Sequence, residues 1–154
     1  MKYRTMRSSI VRPSIMVVVM IAACATLQPS EDGVPLSEKQ EALSYKAPFG
    51  EARTAPPDIV AAGKALYDGK GRCFLCHGKN GKGDGPAAHM HATHAPRDLT
   101  DCAFQKERTD GELFWILKYG EPGTGMPRLI PGQLSEEEGW KVVAYIRSFC
   151  TTSS

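Results

Sequence analysis

The residues Cys73-Phe74-Leu75-Cys76-His77 combine two thiols and an imidazole at a fixed spacing. Two cysteines three positions apart, with a histidine directly after the second, form the attachment signature of a c-type haem. On one helical turn, both thiols can form thioethers to a single porphyrin, and the imidazole of His77 can hold the iron as its proximal ligand. We therefore predict one covalently bound haem c, with Cys73, Cys76 and His77 as its site.

Two other kinds of site use the same cysteine spacing, and neither fits the rest of the chain. A redox dithiol of the thioredoxin kind belongs in a strand-helix-strand setting, which the residues around the motif do not predict. A structural zinc site needs four ligands, usually from a second paired motif, whereas Cys24, Cys102 and Cys150 are scattered singly. The motif therefore favours haem attachment.

The first 23 residues have the plan of an export signal. Four basic residues and no acidic one precede an apolar run at positions 15–23. This run is much shorter than the roughly 20 apolar residues that span a bilayer. It ends in Ile-Ala-Ala directly before Cys24, which is similar to a bacterial lipobox, where the cysteine is lipidated and becomes the mature N-terminus. We predict a signal peptide over 1–23 and lipidation of Cys24; the alternative is an ordinary signal peptide with an incidental cysteine.

Export changes what the charge of the chain implies. The whole chain has 19 basic and 17 acidic residues, and removal of the four basic residues of the leader would leave the remainder near −2. No basic patch suited to nucleic acid would survive. An acyl-bearing cysteine would hold the protein at the periplasmic side of a bacterial membrane, anchored by lipid rather than spanning the bilayer.

The composition after Cys24 changes near Pro57. Residues 24–56 contain four prolines and two glycines among polar residues, with no helical or strand period, and this is typical of an extended, flexible tether. Residues 57–154 have the composition of one small domain. We therefore predict a lipid-anchored tether over 24–56 and a haem domain over 57–154.

Three helices are predicted in that domain. The first covers about 58–68, where apolar residues recur on one face. The pairs Thr109 with Glu112 and Ser135 with Glu138 are capping boxes, which open helices that run to Gly120 and towards Cys150. No alternating strand pattern occurs, so the fold class is all-α.

These features resemble the class I, monohaem cytochromes c of bacteria. The resemblance covers residues 60–149 and rests on C-F-L-C-H-G-K-N-G-K-G-D-G-P, P-R-D-L-T, G-T-G-M-P and the helix W-x-x-V-x-Y-I-R. It implies that the first and last helices cross beside the haem, with Gly63 at their close approach and Tyr145 packed at the crossing. It also implies that the carbonyl of Pro86 accepts the Nδ1–H of His77, and that Arg97 pairs with a haem propionate.

The second axial ligand is predicted to be Met126. Glycines before it and a proline after it make a loop whose backbone can approach a porphyrin face, and this loop resembles the distal-ligand loop of the family. A methionine that only fills a gap in the core is the alternative. Met90, His89, His91 and His94 are further candidates, either for the iron or for another transition metal, although such a stretch is more often a solvated loop.

The two remaining cysteines are candidates for a disulfide. Cys102 and Cys150 are 48 residues apart, and an even remainder in an oxidising compartment favours a bridge between them. Two free thiols, or pairing with another protein, remain as alternatives.

The predicted function is electron transfer between redox protein partners, by a membrane-tethered carrier that is not an enzyme. It would have no small-molecule substrate and no nucleic-acid partner. Two alternatives stay open: a haem subunit of a larger oxidoreductase complex, or a ligand-binding or enzymatic haem domain if Met126 does not bind the iron.

Overall fold

The computed structural model describes residues 33–90 and 94–150 of the 154-residue chain. Within these ranges the chain forms short 3₁₀ turns and six α-helices: α1 (Lys39–Ser44), α2 (Pro57–Asp68), α3 (Phe74–His77), α4 (Cys102–Glu107), α5 (Asp110–Tyr119) and α6 (Glu136–Ser148). No strand occurs in the described ranges, which confirms the predicted all-α class.

The three predicted helices are confirmed as α2, α5 and α6. Both capping boxes form, because the hydroxyls of Thr109 and Ser135 each accept the N–H of the glutamate three residues later at 3.2 Å. Each glutamate carboxylate accepts the N–H of its cap residue in return. Pro57 opens α2 at a position where its missing N–H costs no hydrogen bond.

Helices α2 and α6 cross at Gly63. A Cβ atom on this glycine would lie 1.9 Å from the carbonyl oxygen of Lys141 and 3.0 Å from the Cβ of Tyr145. The backbones therefore touch, and only a residue without a side chain fits between them. Tyr145 packs edge-on against Tyr67 of α2, with ring centroids 5.2 Å apart. The predicted roles of Gly63 and Tyr145 are confirmed.

Helix α5 packs against α6 through aromatic side chains. Phe114 and Trp140 stack in parallel at a centroid separation of 4.1 Å, and both are buried. They join the main core, which also contains Val143 and Leu134. A stacked pair of this kind contributes about 0.5–1.5 kcal/mol beyond the area it buries.

Residues 33–56 differ from the predicted tether. They form 3₁₀ turns and α1, and they pack along α5 as a segment that we call the N-terminal brace. Val34 and Ala42 are fully buried in a small cluster with Trp115. The buried apolar residues of the brace, Val34, Ala42 and Ala52, are far apart in the sequence, so they produce no helical or strand period that the sequence could reveal. Residues 24–32, the rest of the predicted tether, lie outside the described residues.

Polar contacts also fix the brace to α5. Lys39 forms an ion pair with Glu112, the buried carboxylate of the α5 capping box. Burial raises the pKa of Glu112, but the Lys39 ammonium and the Thr109 donors outweigh it and hold the pKa below its ordinary value. The Ala52 N–H donates to the Asp110 carboxylate at 2.8 Å, which ties the end of the brace to the first turn of α5.

Arg147 is a buried charge that joins four parts of the chain. Its Nε donates to the Asp110 carboxylate at 2.6 Å, and its other nitrogens donate to the carbonyls of Gln105 and Arg108 at 2.5 and 2.6 Å. The Arg53 guanidinium of the brace donates to the same Gln105 carbonyl. The side chain of Arg147 therefore connects α6 with α4, the α4–α5 turn and the first turn of α5, and it shares the Gln105 carbonyl with the brace.

We predict that Gly63→Ala destabilises the protein. Helix propensity alone would make this change stabilising by about 1 kcal/mol, whereas the added methyl group forces α2 and α6 apart and costs about 1–3 kcal/mol. Urea unfolding followed by tryptophan fluorescence measures the net effect. Ala65→Gly is the matched control, because it makes the reverse change at an exposed position of α2 and should cost about 1 kcal/mol from propensity alone. A more stable Gly63→Ala variant would contradict the tight crossing.

Candidate haem-attachment site

The motif lies on a single short helix. Cys73 precedes α3 in helical conformation, and its carbonyl accepts the N–H groups of Cys76 and His77 at 3.2 and 2.9 Å. The two thiols and the imidazole are thus presented within one turn, as the spacing predicts. Both cysteines are half-buried and are not bonded to one another, so two thiols are available for thioether bonds.

The environment of Cys73 argues against a redox dithiol. Burial raises the pKa of the Cys73 thiol to about 12, whereas attacking cysteines of dithiol enzymes have lowered pKa values. The zinc alternative also lacks support. No group of three or more His, Cys, Asp or Glu side chains is placed to hold a metal ion within ranges 33–90 and 94–150. The thiols of this helix therefore fit haem attachment better than either alternative.

A glycine-rich loop closes the end of α3. The amides of Gly83, Gly85 and Ala87 donate to the carbonyls of His77, Cys76 and Leu75 at 2.9, 3.0 and 2.7 Å, which satisfies the carbonyls that a helix end leaves free. A Cβ on Gly85 would lie 2.3 Å from the Leu75 carbonyl oxygen. The loop can lie this close to the helix only because that position has no side chain.

Tyr67 connects the helix crossing to the motif. Its hydroxyl donates to the carbonyl oxygen of Gly78, the residue after His77, at 2.7 Å, and its side chain is fully buried. The same ring packs against Tyr145 at the crossing. The sequence placed Tyr67 on the apolar face of a helix, but a bond to a backbone carbonyl leaves no pattern that would have revealed its second role.

His77 has the tautomer that an iron ligand requires. Its Nδ1 lies 3.0 Å from the carbonyl oxygen of Arg97, and because a carbonyl only accepts, Nδ1 carries the proton. Burial lowers the pKa of His77, although the Arg97 carbonyl acts in the opposite direction. The neutral ring therefore keeps a lone pair on Nε2, and the acceptor at Nδ1 fixes the ring orientation.

The prediction that Pro86 supplies this acceptor is wrong. The amides on either side of Pro86 bond to Cys76 and Leu75, which holds that segment along α3. A different segment approaches His77, because the Leu99 N–H donates to the Gly81 carbonyl at 2.6 Å and brings the Arg97 carbonyl with it. The Arg97 guanidinium itself lies over the ring of Phe104 at 4.7 Å. Its pairing with a propionate stays a prediction.

Met126 lies in a closed loop that follows α5. Its carbonyl accepts the Glu121 N–H at 3.1 Å, and its own N–H donates to the Thr124 hydroxyl at 3.1 Å. The side chain is half-buried and packs against the main core, as do Cys73 and Phe74 of the motif. The fold thus gathers the predicted distal ligand and the attachment segment around one core.

The other candidate ligands lie at the surface or outside the described residues. Met90 is 70% exposed, and His89 and His94 are also exposed. His91 lies outside the described residues, as does Cys24. Met90 is not among the side chains that pack against the core cluster with Met126.

Cys102 and Cys150 form a disulfide in the structure, with their Cα atoms 5.4 Å apart. This separation is within the usual range for a bridge. The bond joins the first residue of α4 to the chain just after α6, next to the network of Arg147.

The side chains assembled here fit a haem group. Two free thiols on one turn suit its vinyl groups, and a neutral imidazole with an oriented ring suits its iron. A half-buried thioether beside the same core is a suitable second ligand.

Comparisons with known proteins agree with this assignment. The cytochrome c family matches residues 60–149. Cytochrome c4 of Azotobacter vinelandii is 36% identical in an alignment of 69 residues that covers 38% of this chain and 33% of the relative, so the match spans about a third of that protein. A chain of the Kuenenia stuttgartiensis reducing HAO-like protein complex superposes with a TM-score of 0.54 at 29% identity, over 71% of this chain and 54% of that one.

We predict that the two thiols attach haem independently. Cys73→Ala and Cys76→Ala should each keep haem through one thioether, whereas the double variant should keep none after denaturation in acid and organic solvent. Haem staining of denaturing gels and intact mass measure the outcome. Cys102→Ser, which leaves the motif intact, is the control and should retain covalent haem. Covalent haem on the double variant would refute the assignment.

Proposed function

Because the chain belongs to the cytochrome c family, whose cofactor is covalently bound haem c, we propose that it is a membrane-tethered electron carrier with His77 and Met126 as axial ligands. Haem c supplies one-electron exchange between ferrous and ferric iron. The observation that carries the proposal is the packing of Met126 and the attachment cysteine Cys73 against one core.

Each residue of the site has a distinct part in this function. Cys73 and Cys76 would hold the porphyrin, and the Nε2 of His77 would donate to the iron while the Arg97 carbonyl orients the ring. Met126 would fill the remaining axial position and exclude external ligands. A His/Met pair also raises the reduction potential relative to stronger donors. With His77 and Met126 both bound to the iron, the haem would exchange electrons without binding a substrate.

The surface around the motif supports a protein partner. Arg72, Lys79, Lys82 and Arg97 are exposed, whereas the acidic residues between positions 70 and 98 are Asp84 and Asp98, so basic residues are in excess around the motif. A basic surface of this kind attracts an acidic protein face and speeds the encounter at low ionic strength. The partner class is therefore a redox protein with an acidic docking face.

A second candidate is a fixed subunit of a larger oxidoreductase complex. The solved chain that superposes on this one belongs to such an assembly, a reducing HAO-like protein complex. The chemistry would be the same, and only the permanence of the partner would differ. Copurification after mild detergent extraction separates the two candidates.

The location follows from the leader and from the disulfide. A signal peptide over 1–23 and a lipid on Cys24 would place the domain on the periplasmic side of a bacterial membrane. A Cys102–Cys150 bridge supports an oxidising compartment. Among the described helices, none is long and apolar enough to cross a membrane.

We predict that Met126→Ala leaves the haem iron accessible to external ligands. The oxidised variant should lose the weak far-red absorption of iron–methionine sulfur bonding. The reduced variant should bind carbon monoxide at least about tenfold more tightly than the unaltered protein. In the unaltered protein carbon monoxide would have to compete with the Met126 sulfur for the iron, and in the variant it would not. Met90→Ala is the matched control, since it removes an exposed methionine and should change neither property. Rapid carbon monoxide binding by the unaltered protein would favour a ligand-binding haem domain instead.

We also predict that Cys24→Ser releases the protein from the membrane. The unaltered protein should sediment with membranes and enter the detergent phase, because several acyl chains give stable anchoring. The Cys24→Ser protein should appear in the soluble fraction, whereas the neighbouring change Ala25→Ser should leave it in the membrane. Membrane retention of Cys24→Ser would exclude this cysteine as the anchor.

A further inference from the structure

We propose that the N-terminal brace is a positioning element for the loop that carries Met126. The inference extends the proposed function, because it concerns what holds the distal ligand in place. It rests on three sets of contacts between the brace, the last turn of α5 and the loop.

The brace begins directly against the base of the loop. A Cβ on Gly33 would lie 2.7 Å from Oε1 of Glu121 and 3.3 Å from Cδ1 of Ile116. Gly33 has a φ of +75°, a conformation that glycine adopts without strain. The brace backbone therefore lies against the side-chain carboxylate of Glu121, the first residue after Gly120, and against the Ile116 side chain in the last turn of α5.

Glu121 in turn organises the loop. Its N–H donates to the Met126 carbonyl at 3.1 Å, and its carbonyl accepts the N–H and the hydroxyl of Thr124 at 3.2 and 2.9 Å. The Thr124 hydroxyl also accepts the Met126 N–H at 3.1 Å. A displacement of Glu121 would thus disturb both backbone bonds of Met126.

The brace is anchored firmly enough to serve as a support. Val34 is fully buried against Trp115, which is one turn before the end of α5. The carbonyl oxygen of Ala42 lies 2.1 Å from where a Cβ on Gly111 would be, so the brace backbone touches the start of α5. The Lys39–Glu112 ion pair lies between these two contacts in sequence. The brace therefore spans α5 from its first turn to the loop.

The brace lies where contacts with a membrane or a partner could affect the Met126 loop. It lies between the predicted anchor at Cys24 and the family domain that begins at residue 60. Any partner or membrane contact that loosens residues 33–45 would raise the fraction of molecules in which the Met126 loop is open. The apparent affinity for an external ligand of the iron rises in proportion to that fraction.

The test compares Val34→Ala with Leu36→Ala in the haem-loaded protein. Both residues lie at the start of the brace, but Val34 is fully buried in the cluster with Trp115, whereas Leu36 is 66% exposed. Two quantities are measured: native-state hydrogen exchange of the Glu121, Thr124 and Met126 amides, and imidazole binding to the ferric protein. We expect Val34→Ala to speed exchange at these amides and to tighten imidazole binding, each by at least about threefold.

The Leu36→Ala control should change both quantities by less than about twofold, because the exposed side chain that it removes belongs to neither core cluster. Equal changes in the two variants, or unaltered exchange in Val34→Ala, would overturn the proposal. If the unaltered protein lacks the far-red band of methionine ligation, the His77/Met126 assignment fails by itself. In that case the exchange data alone decide whether the brace positions the loop.

Discussion

The backbone contact between α2 and α6 at Gly63 is the constraint on which the haem-attachment site depends. It brings Tyr67 beside Tyr145 and lets the buried hydroxyl of Tyr67 reach the carbonyl of Gly78. That bond fixes the residue after His77, so the attachment helix takes its position from the crossing. A wider crossing would leave a buried hydroxyl without its acceptor, at a cost of about 1–3 kcal/mol.

A second constraint acts at the C-terminal end of α6. The Arg147 guanidinium is removed from water and needs every donor satisfied, since a buried charge that loses its partner costs about 3–5 kcal/mol. Asp110 and two carbonyls supply those partners, and Asp110 also accepts an amide of the brace. The brace, α4 and α5 must therefore be in place together. The Cys102–Cys150 disulfide closes the same region covalently.

The sequence predicted most of what depends on side-chain type and period. The attachment motif, the three main helices, both capping boxes and the glycine at the crossing could all be identified from local patterns. The acceptor for His77 could not, because every residue has a carbonyl and tertiary packing selects which one approaches. The brace was also missed, because Val34, Ala42 and Ala52 are isolated apolar residues whose burial depends on a helix far away in the chain.

The raised pKa of Cys73 has a consequence for the order of assembly. In the folded domain this thiol is packed against the core and stays protonated well above neutral pH. A thiol that stays protonated and is half-buried reacts slowly, because the thiolate is the reactive form. Attachment of the porphyrin at Cys73 would therefore be easier before the polypeptide closes around this side chain than after it.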